Sequence, residues 1–338
     1  MATLPSIDTL VSKVDAAHEA AHAGDWKSRQ WNLAVSQLAD PCERKLWLRL
    51  RRAGFESHDG RLLRLFRRGS LEEKSAAEDL RAAGCDLRYT GEEQLEVRCG
   101  HLRGFLDGVI LSGDPDAPKA VEVWECKTFN RKSFDELEKK GVEACKPEHY
   151  LQMQVYMRLV QDVLRKLSDS PELVVDRARY WAVCKDDDRI HTERIELDRK
   201  AADAALEKAE RIALLEHIPA PVSDTPGWWQ CRNCMFDGFC HQIHRIGPEG
   251  VNCRTCAHCT PKPDGNWFCE KCQATVPERE WRAFPCHVLH PDLTDWTLVP
   301  GAGDEWTAVW ESPQGRWRNG EGGLKTKDLL KGEEEIDV

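Results

Sequence analysis

The alternation of apolar and polar positions is sharpest between His101 and Asn130, where it predicts two strands joined by a turn. Leu102 to Leu111 reads as the first strand and carries one acid, Asp107. Ala120 to Lys127 reads as the second, with Val121, Val123, Glu125 and Lys127 on one face and Glu122, Trp124 and Cys126 on the other. Further along, the pattern turns helical. Glu148 to Leu167 predicts an amphipathic helix with a stripe of Leu151, Val155 and Leu159, widened by Met153, Met157, Val160 and Leu164. Gln152 and Tyr156 share one face of it. Val174 to Cys184 and Arg189 to Leu197 predict two more strands, and Lys200 to His217 a closing helix. Before the hairpin, Trp31 to Ala53 reads as a helical region around Leu46, Leu48 and Leu50. Arg67 to Gly84 reads as a helix ended by a glycine cap, with Glu72 and Glu73 in its first turns, and Cys85 to Arg98 as two short strands. Ser133 to Gly141 reads as a charged helical turn on the surface. Strands and helices interleaved around a central hairpin predict an α/β fold.

Composition narrows the class. With 338 residues, 41% of them hydrophobic, the chain has room for one large core and a smaller appendage. No apolar run is long enough to span a bilayer, and MATLPSIDTLVSK lacks the plan of a signal peptide, so a cytoplasmic protein without a membrane partner is expected. A net charge of −10 excludes an indiscriminate nucleic-acid binder, while Glu43 to Arg68 is locally basic and can meet phosphates.

Most of the 15 cysteines lie between Cys231 and Cys286, which without an export signal reads as metal ligation. Cys231, Cys234 and Cys240 follow one another as Cys-x2-Cys-x5-Cys and lack a fourth ligand. His241 and His244 are close by, and Cys42 is an isolated thiol far upstream, in itself no more than a buried one. After GPEG at 247–250, Cys253-x2-Cys256, a twelve-residue spacer with a PKPDGN turn, and Cys269-x2-Cys272 have zinc-ribbon spacing, with Cys259, Cys286, His287 and His290 as spare ligands. From Trp296 the tail is Trp- and Gly-rich and predicts short strands around Trp306 and Trp310; the acidic end, KGEEEIDV, is expected to be disordered.

Asp107, Glu125 and Lys127 are a chemical group in their own right. Paired strands bring Asp107 to Glu125, and two carboxylates beside a lysine make a site for a hard divalent cation.

In order and spacing, Asp107, Glu125-Cys126-Lys127 and Gln152-x3-Tyr156 resemble the PD-(D/E)XK nuclease superfamily, in its RecB-like branch. Cys42 followed by Cys231, Cys234 and Cys240 is similar to the iron–sulfur members, such as AddB-type nucleases and the exonucleases of CRISPR adaptation. Glu73 falls where relatives carry a helix Glu or His, and Ser70 stands where some have His. The resemblance covers about residues 30 to 245; no helicase motor accompanies it, and the zinc-like module lies outside it.

The resemblance implies a restriction-endonuclease-like core, a mixed sheet flanked by helices, over 31–246. Residues 1–30 would form a polar, partly helical segment, 250–295 a zinc-binding module and 296–338 a tail. It implies a DNA nuclease, an exonuclease of recombination, repair or replication, of phage or mobile-element type. Mg²⁺ or Mn²⁺ would be held by Asp107, Glu125, the carbonyl of Cys126 and Glu73. Lys127 would position the attacking water, and Gln152 and Tyr156 would orient Lys127 and the substrate strand. Cys42, Cys231, Cys234 and Cys240 would hold a [4Fe–4S] cluster, and Cys253, Cys256, Cys269 and Cys272 a Zn²⁺. DNA and a single-strand annealing protein or other recombination partner would be its company. A catalytically silent nucleic-acid binder and a cysteine-based metal or redox regulator are the competing readings; both leave the acid and lysine residues idle.

Overall fold

The strand Glu122–Phe129 is where the alternating pattern becomes architecture. In the computed structural model, which describes residues 9–23, 32–54, 57–115, 117–277 and 285–331, it is the middle of a five-stranded sheet. The order across the sheet is Leu87–Arg88, Gly108–Ile110, Glu122–Phe129, Arg177–Cys184, Ile190–Glu196. All pairs are antiparallel except Glu122–Phe129 with Arg177–Cys184. A parallel pair needs a long crossover, and the helices Arg131–Cys145 and Pro147–Ser168 make it. The mixed sheet flanked by helices is the fold class expected.

Alternation sorts the two faces. Trp124 and Cys126 bury against Ala76, Ala77 and Leu80 of the helix Gly60–Ala82, together with Leu87 and Ile110. Val123, Glu125 and Lys127 lie beside Ala178, Tyr180 and Ala182 of the parallel neighbour. Gly108 is fixed by space, since a Cβ there would sit 2.9 Å from Thr90 and 3.0 Å from Trp124.

Several elements depart from the pattern-based reading. The first strand breaks in two, Leu102–Phe105 and Gly108–Ile110, because Asp107 between them turns its carboxylate to the backbone N–H of Cys126, 2.9 Å away. The Arg67–Gly84 helix begins earlier, at Gly60, where Asp59 accepts from the N–H of Leu62 as N-cap. Ser133–Gly141 is no surface turn. It belongs to a helix capped by Asn130, with Phe134, Leu137 and Val142 fully buried and a break in the helical backbone at Gly141. In the helix Pro147–Ser168, Leu151 and Leu159 are only half-buried, while Gln152, Gln154 and Tyr156 are buried. The Gln154 amide bonds the carbonyl of Glu196 and the N–H of Asp198, anchoring the end of the last strand.

The chain divides into two units. Residues 1–29, 57–98 and 104–205 form the unit just described; residues 30–56, 99–103 and 206–338 form the other. The second unit is built on the helix Glu43–Leu50, whose last five residues are all buried. Trp47 donates to the carbonyl of Leu215, and the Arg51 guanidinium lies 4.3 Å over the Trp47 ring and donates to the carbonyl of Arg254. Three short antiparallel strands, Cys259–Pro261, Trp267–Cys269 and Ala274–Val276, form one sheet, and Thr297–Leu298, Thr307–Ser312 and Gly315–Gly320 another. The acidic end expected to be disordered lies, from residue 332, outside the described residues, as do residues 1–8 and 24–30 of the N-terminal segment. Among the described residues no helix is long and apolar enough to cross a membrane.

Asn252 closes the helix Glu43–Leu50. Its side-chain amide donates to the carbonyls of Arg51, Arg52 and Gly250, and its oxygen accepts from the N–H of Arg254. Helix-end carbonyls buried without a donor are destabilising. Asn252→Ala is therefore expected to destabilise the protein by about 2–4 kcal/mol in urea unfolding. A change within about 0.5 kcal/mol, the range of an ordinary surface substitution, would contradict this capping role.

Candidate active site

Glu125 is completely buried, and its partners come from three elements. Its own strand supplies Lys127, whose ammonium bonds Glu125 Oε1 and also lies 3.2 Å from the carbonyl oxygen of Cys126. The crossover helix supplies Gln152, whose amide donates to the same Oε1 at 2.8 Å. The strand break supplies Asp107, with Oδ2 3.7 Å from Lys127 Nζ. Glu125 Oε2 is buried and has no hydrogen-bond partner. Glu73, from the helix on the other side of the sheet, is held by the Gln94 amide at 3.1 Å.

The electrostatics follow from this crowding. Burial first, and Asp107 second, push the Glu125 carboxyl up to about 8. The same two causes push Glu73 up to about 7. Against the burial that would depress it, Glu125 and Asp107 hold the Lys127 ammonium above its ordinary range. A buried carboxylate with an unpartnered oxygen, a second carboxylate and a backbone carbonyl beside it are hard oxygen donors of the kind that suits Mg²⁺ or Mn²⁺. Among the described residues, no three His, Cys, Asp or Glu side chains are already gathered into an ion cage.

Tyr156 is buried and donates to the carbonyl of Phe105 at 2.8 Å, two residues before Asp107. Ser70 is exposed, with its hydroxyl on the carbonyl of Phe66. Four residues escaped the pattern-based reading: Gln94, Phe105 through its carbonyl, and the pair His149 and Tyr180, joined at 2.7 Å. Tyr180 is the register neighbour of Glu125, and burial and then Lys127 depress the His149 imidazole to about 3. The spacing of His149, Gln152 and Tyr156 along one helix face was the available signal.

The cysteine groups fall in the second unit. Cys42, Cys231, Cys234 and Cys240 line one cavity of about 360 Å³ with His241. His241 Nε2 is buried without a hydrogen-bond partner, and this soft donor set suits an iron–sulfur cluster or zinc. His244 instead stacks on Phe239, ring centroids 4.4 Å apart. Cys253 begins a short 3-10 turn, Cys256 and Cys259 are buried, and Cys269 ends a strand followed by Cys272 in a turn. His287 is no spare ligand as it stands, because Nδ1 faces the Thr326 hydroxyl at 2.8 Å and Nε2 the carbonyl of Asn252 at 3.0 Å. His290 accepts from the N–H of Asp292.

A carboxyl whose pKa is higher folded than unfolded favours the fold at low pH. Stability from Glu73 is fully present below its ordinary value of 4.5 and is lost as pH rises through about 7. In protein stripped of divalent ions, the urea midpoint is expected to fall from pH 5 to pH 8, and Glu73→Gln to remove part of that slope. An identical slope in the variant would contradict the protonation of Glu73.

Comparison with known proteins adds the family. The model of the PD-(D/E)XK nuclease superfamily matches residues 14–241. Among solved structures, SSO0001 is similar over 68% of this chain and 96% of its own, at 17% identity and a TM-score of 0.40. An alkaline exonuclease from Laribacter hongkongensis is similar over 58% of this chain and 90% of its own, at 18% identity and a TM-score of 0.37. Its complex with dAMP is similar over 55% and 88%, at 18% identity and a TM-score of 0.39. No curated protein matches the chain. With the family model matching residues 14–241, well over half of the chain, the chain belongs to the PD-(D/E)XK nuclease superfamily.

Proposed function

We propose that this nuclease is a Mg²⁺- or Mn²⁺-dependent deoxyribonuclease of the RecB-like branch, acting as an exonuclease in DNA recombination, repair or replication. The observation that carries the reading is the Glu125 carboxylate, wholly buried with Oε2 unpartnered and Asp107 beside the same lysine. Asp107, Glu125 and the carbonyl of Cys126 would hold the cation, with Glu73 joining directly or through water. A bound divalent ion supplies Lewis-acid stabilisation of phosphate charge and acidifies a water.

The remaining roles belong to the protein's own groups. Lys127 orients the attacking water and stabilises charge developing on the phosphate. Gln152 holds Oε1 of Glu125 and so leaves Oε2 available to the cation. Tyr156 acts through the Phe105 carbonyl, steadying the break that carries Asp107. In the same reading Cys42, Cys231, Cys234 and Cys240 hold a [4Fe–4S] cluster, and the cysteines after residue 250 form a zinc module. The cavity that Cys42 shares with Cys231, Cys234 and Cys240 supports the first of these. The enzyme would work in a phage or mobile element with a single-strand annealing protein or other recombination partner.

Glu125→Gln and Asp107→Asn keep shape and remove a charged ligand, so DNA degradation is expected to fall on the order of 100-fold or more, with folding retained. An assay on end-labelled linear and on circular DNA with Mg²⁺ or Mn²⁺ checks both points. Linear DNA should shorten from its ends and circular DNA survive. Full activity in either variant would overturn the assignment of these residues, and cleavage of circles would overturn exonuclease action.

A further inference from the structure

The helix Gly60–Ala82 turns one face to the sheet, and that face changes character along its length. Leu80, Glu73 and Phe66 recur every seven residues and so share it. Leu80 packs with Trp124 and Cys126, and Glu73, held by the Gln94 amide, is the helix's acid in the proposed cation site. Further towards the N-terminus the helix is bare. From Arg64 through Ser75 no residue is buried, although Leu63 and Ala76 on either side are. Phe66 is 46% exposed, its ring T-shaped against His58 with centroids 5.1 Å apart, and Leu65 and Leu71 are exposed as well.

Between Phe66 and Glu73 stands Gly69. A glycine inside a helix is destabilising relative to alanine, so it calls for a reason. The protein's own packing supplies none. Gly69 does not have a positive φ, and a Cβ there would meet no atom of the described residues within 4 Å, whereas a Cβ at Gly60 would come within 2.4 Å of Asp15. A backbone bare of side chain and facing open space lets a second molecule approach closely. The charge around it suits an anion: Gly60 to Leu71 contains Arg61, Arg64, Arg67 and Arg68 and no acid. Arg64 is tied to Asp15 and Arg68 donates to the carbonyl of Lys185, while Arg61 and Arg67 are exposed. Exposed aromatic rings among cations hold single-stranded nucleic acid, the ring taking a base and the cations the phosphates.

We propose that DNA enters the site as a single strand that runs along this face, crossing the helix backbone at Gly69, with a base stacked on Phe66 and phosphates meeting Arg67. This rests on the nuclease reading of the Glu125 site and adds the path and strandedness of its substrate. Seven helical residues span roughly 10 Å, about three stacked nucleotides, which sets the distance between the base on Phe66 and the phosphate at the cation site. A paired internal base offers Phe66 no free face, so a single strand binds better than a blunt duplex.

Fluorescence anisotropy of a labelled short oligothymidine, with the full-length protein in EDTA, reads binding apart from cleavage. Phe66→Ala is expected to weaken binding roughly 10-fold, and Phe66→Trp to restore it. Gly69→Leu should weaken binding as well, yet keep its urea midpoint at or above the parent's, because leucine favours a helix more than glycine does. Parental affinity in Gly69→Leu, or Phe66→Trp binding no better than Phe66→Ala, would overturn the strand path. Tighter binding of a blunt duplex than of the single strand would overturn the strandedness. A lowered midpoint in Gly69→Leu would show that the protein fills the space itself and would remove the proposal's basis. The nuclease reading is judged separately, by whether the parent degrades linear DNA with Mg²⁺ or Mn²⁺.

Discussion

A carboxylate taken wholly out of water is destabilising unless something compensates it, and Glu125 is such a group at the middle of the central sheet. Much of the first unit is arranged around it. The parallel pairing of Glu122–Phe129 with Arg177–Cys184 forces the crossover that brings Gln152 over the strand. The break at Asp107 supplies the second carboxylate, and Tyr156 on the same helix holds the carbonyl of Phe105 just before that break. Lys127 neutralises one charge where two to three acids converge. Compensation is therefore incomplete by one or two charges, and burial first, with that deficit second, raises the Glu73 and Glu125 carboxyls so that they retain protons. A divalent cation would complete it, and the excess of negative charge would provide its affinity.

The second unit solves a different problem, that of short strands with little apolar surface. To a buried aliphatic set that includes Leu33, Leu38, Leu46, Leu48 and Leu50 it adds guanidinium groups stacked on Trp47 and Trp267 and a buried amide at Asn252. Asn319 serves the tail in the same way, accepting from the N–H of Leu289 and donating to the Thr326 hydroxyl. Polar cores of this kind are specific because a partly satisfied network is worse than none.

What could be read from the residues depended on how local the cause was. The face shared by Glu125 and Lys127 follows from strand alternation, and the strand did form with that facing. The Pro147–Ser168 helix was legible from its period, although its buried face proved to include Gln152 and Gln154, because polar residues with buried partners look like a solvated edge in sequence. The helix Glu43–Leu50 left a weak signal, being buried on nearly every side and so lacking a polar face. Phe134 and Leu137 were hidden among charged neighbours that face away from the core. The break at Asp107 was not legible at all: it depends on the N–H of Cys126, a partner nineteen residues away that no local pattern announces.

Asp107 and Glu125 are proposed to bind a catalytic divalent cation. Crystals of the protein soaked in Mn²⁺ and measured at the manganese absorption edge test it most directly. The expected result is an anomalous peak bounded by the Asp107 carboxylate, Glu125 Oε2 and the carbonyl oxygen of Cys126. Protein that degrades DNA with Mn²⁺ yet shows no manganese between these groups would contradict it.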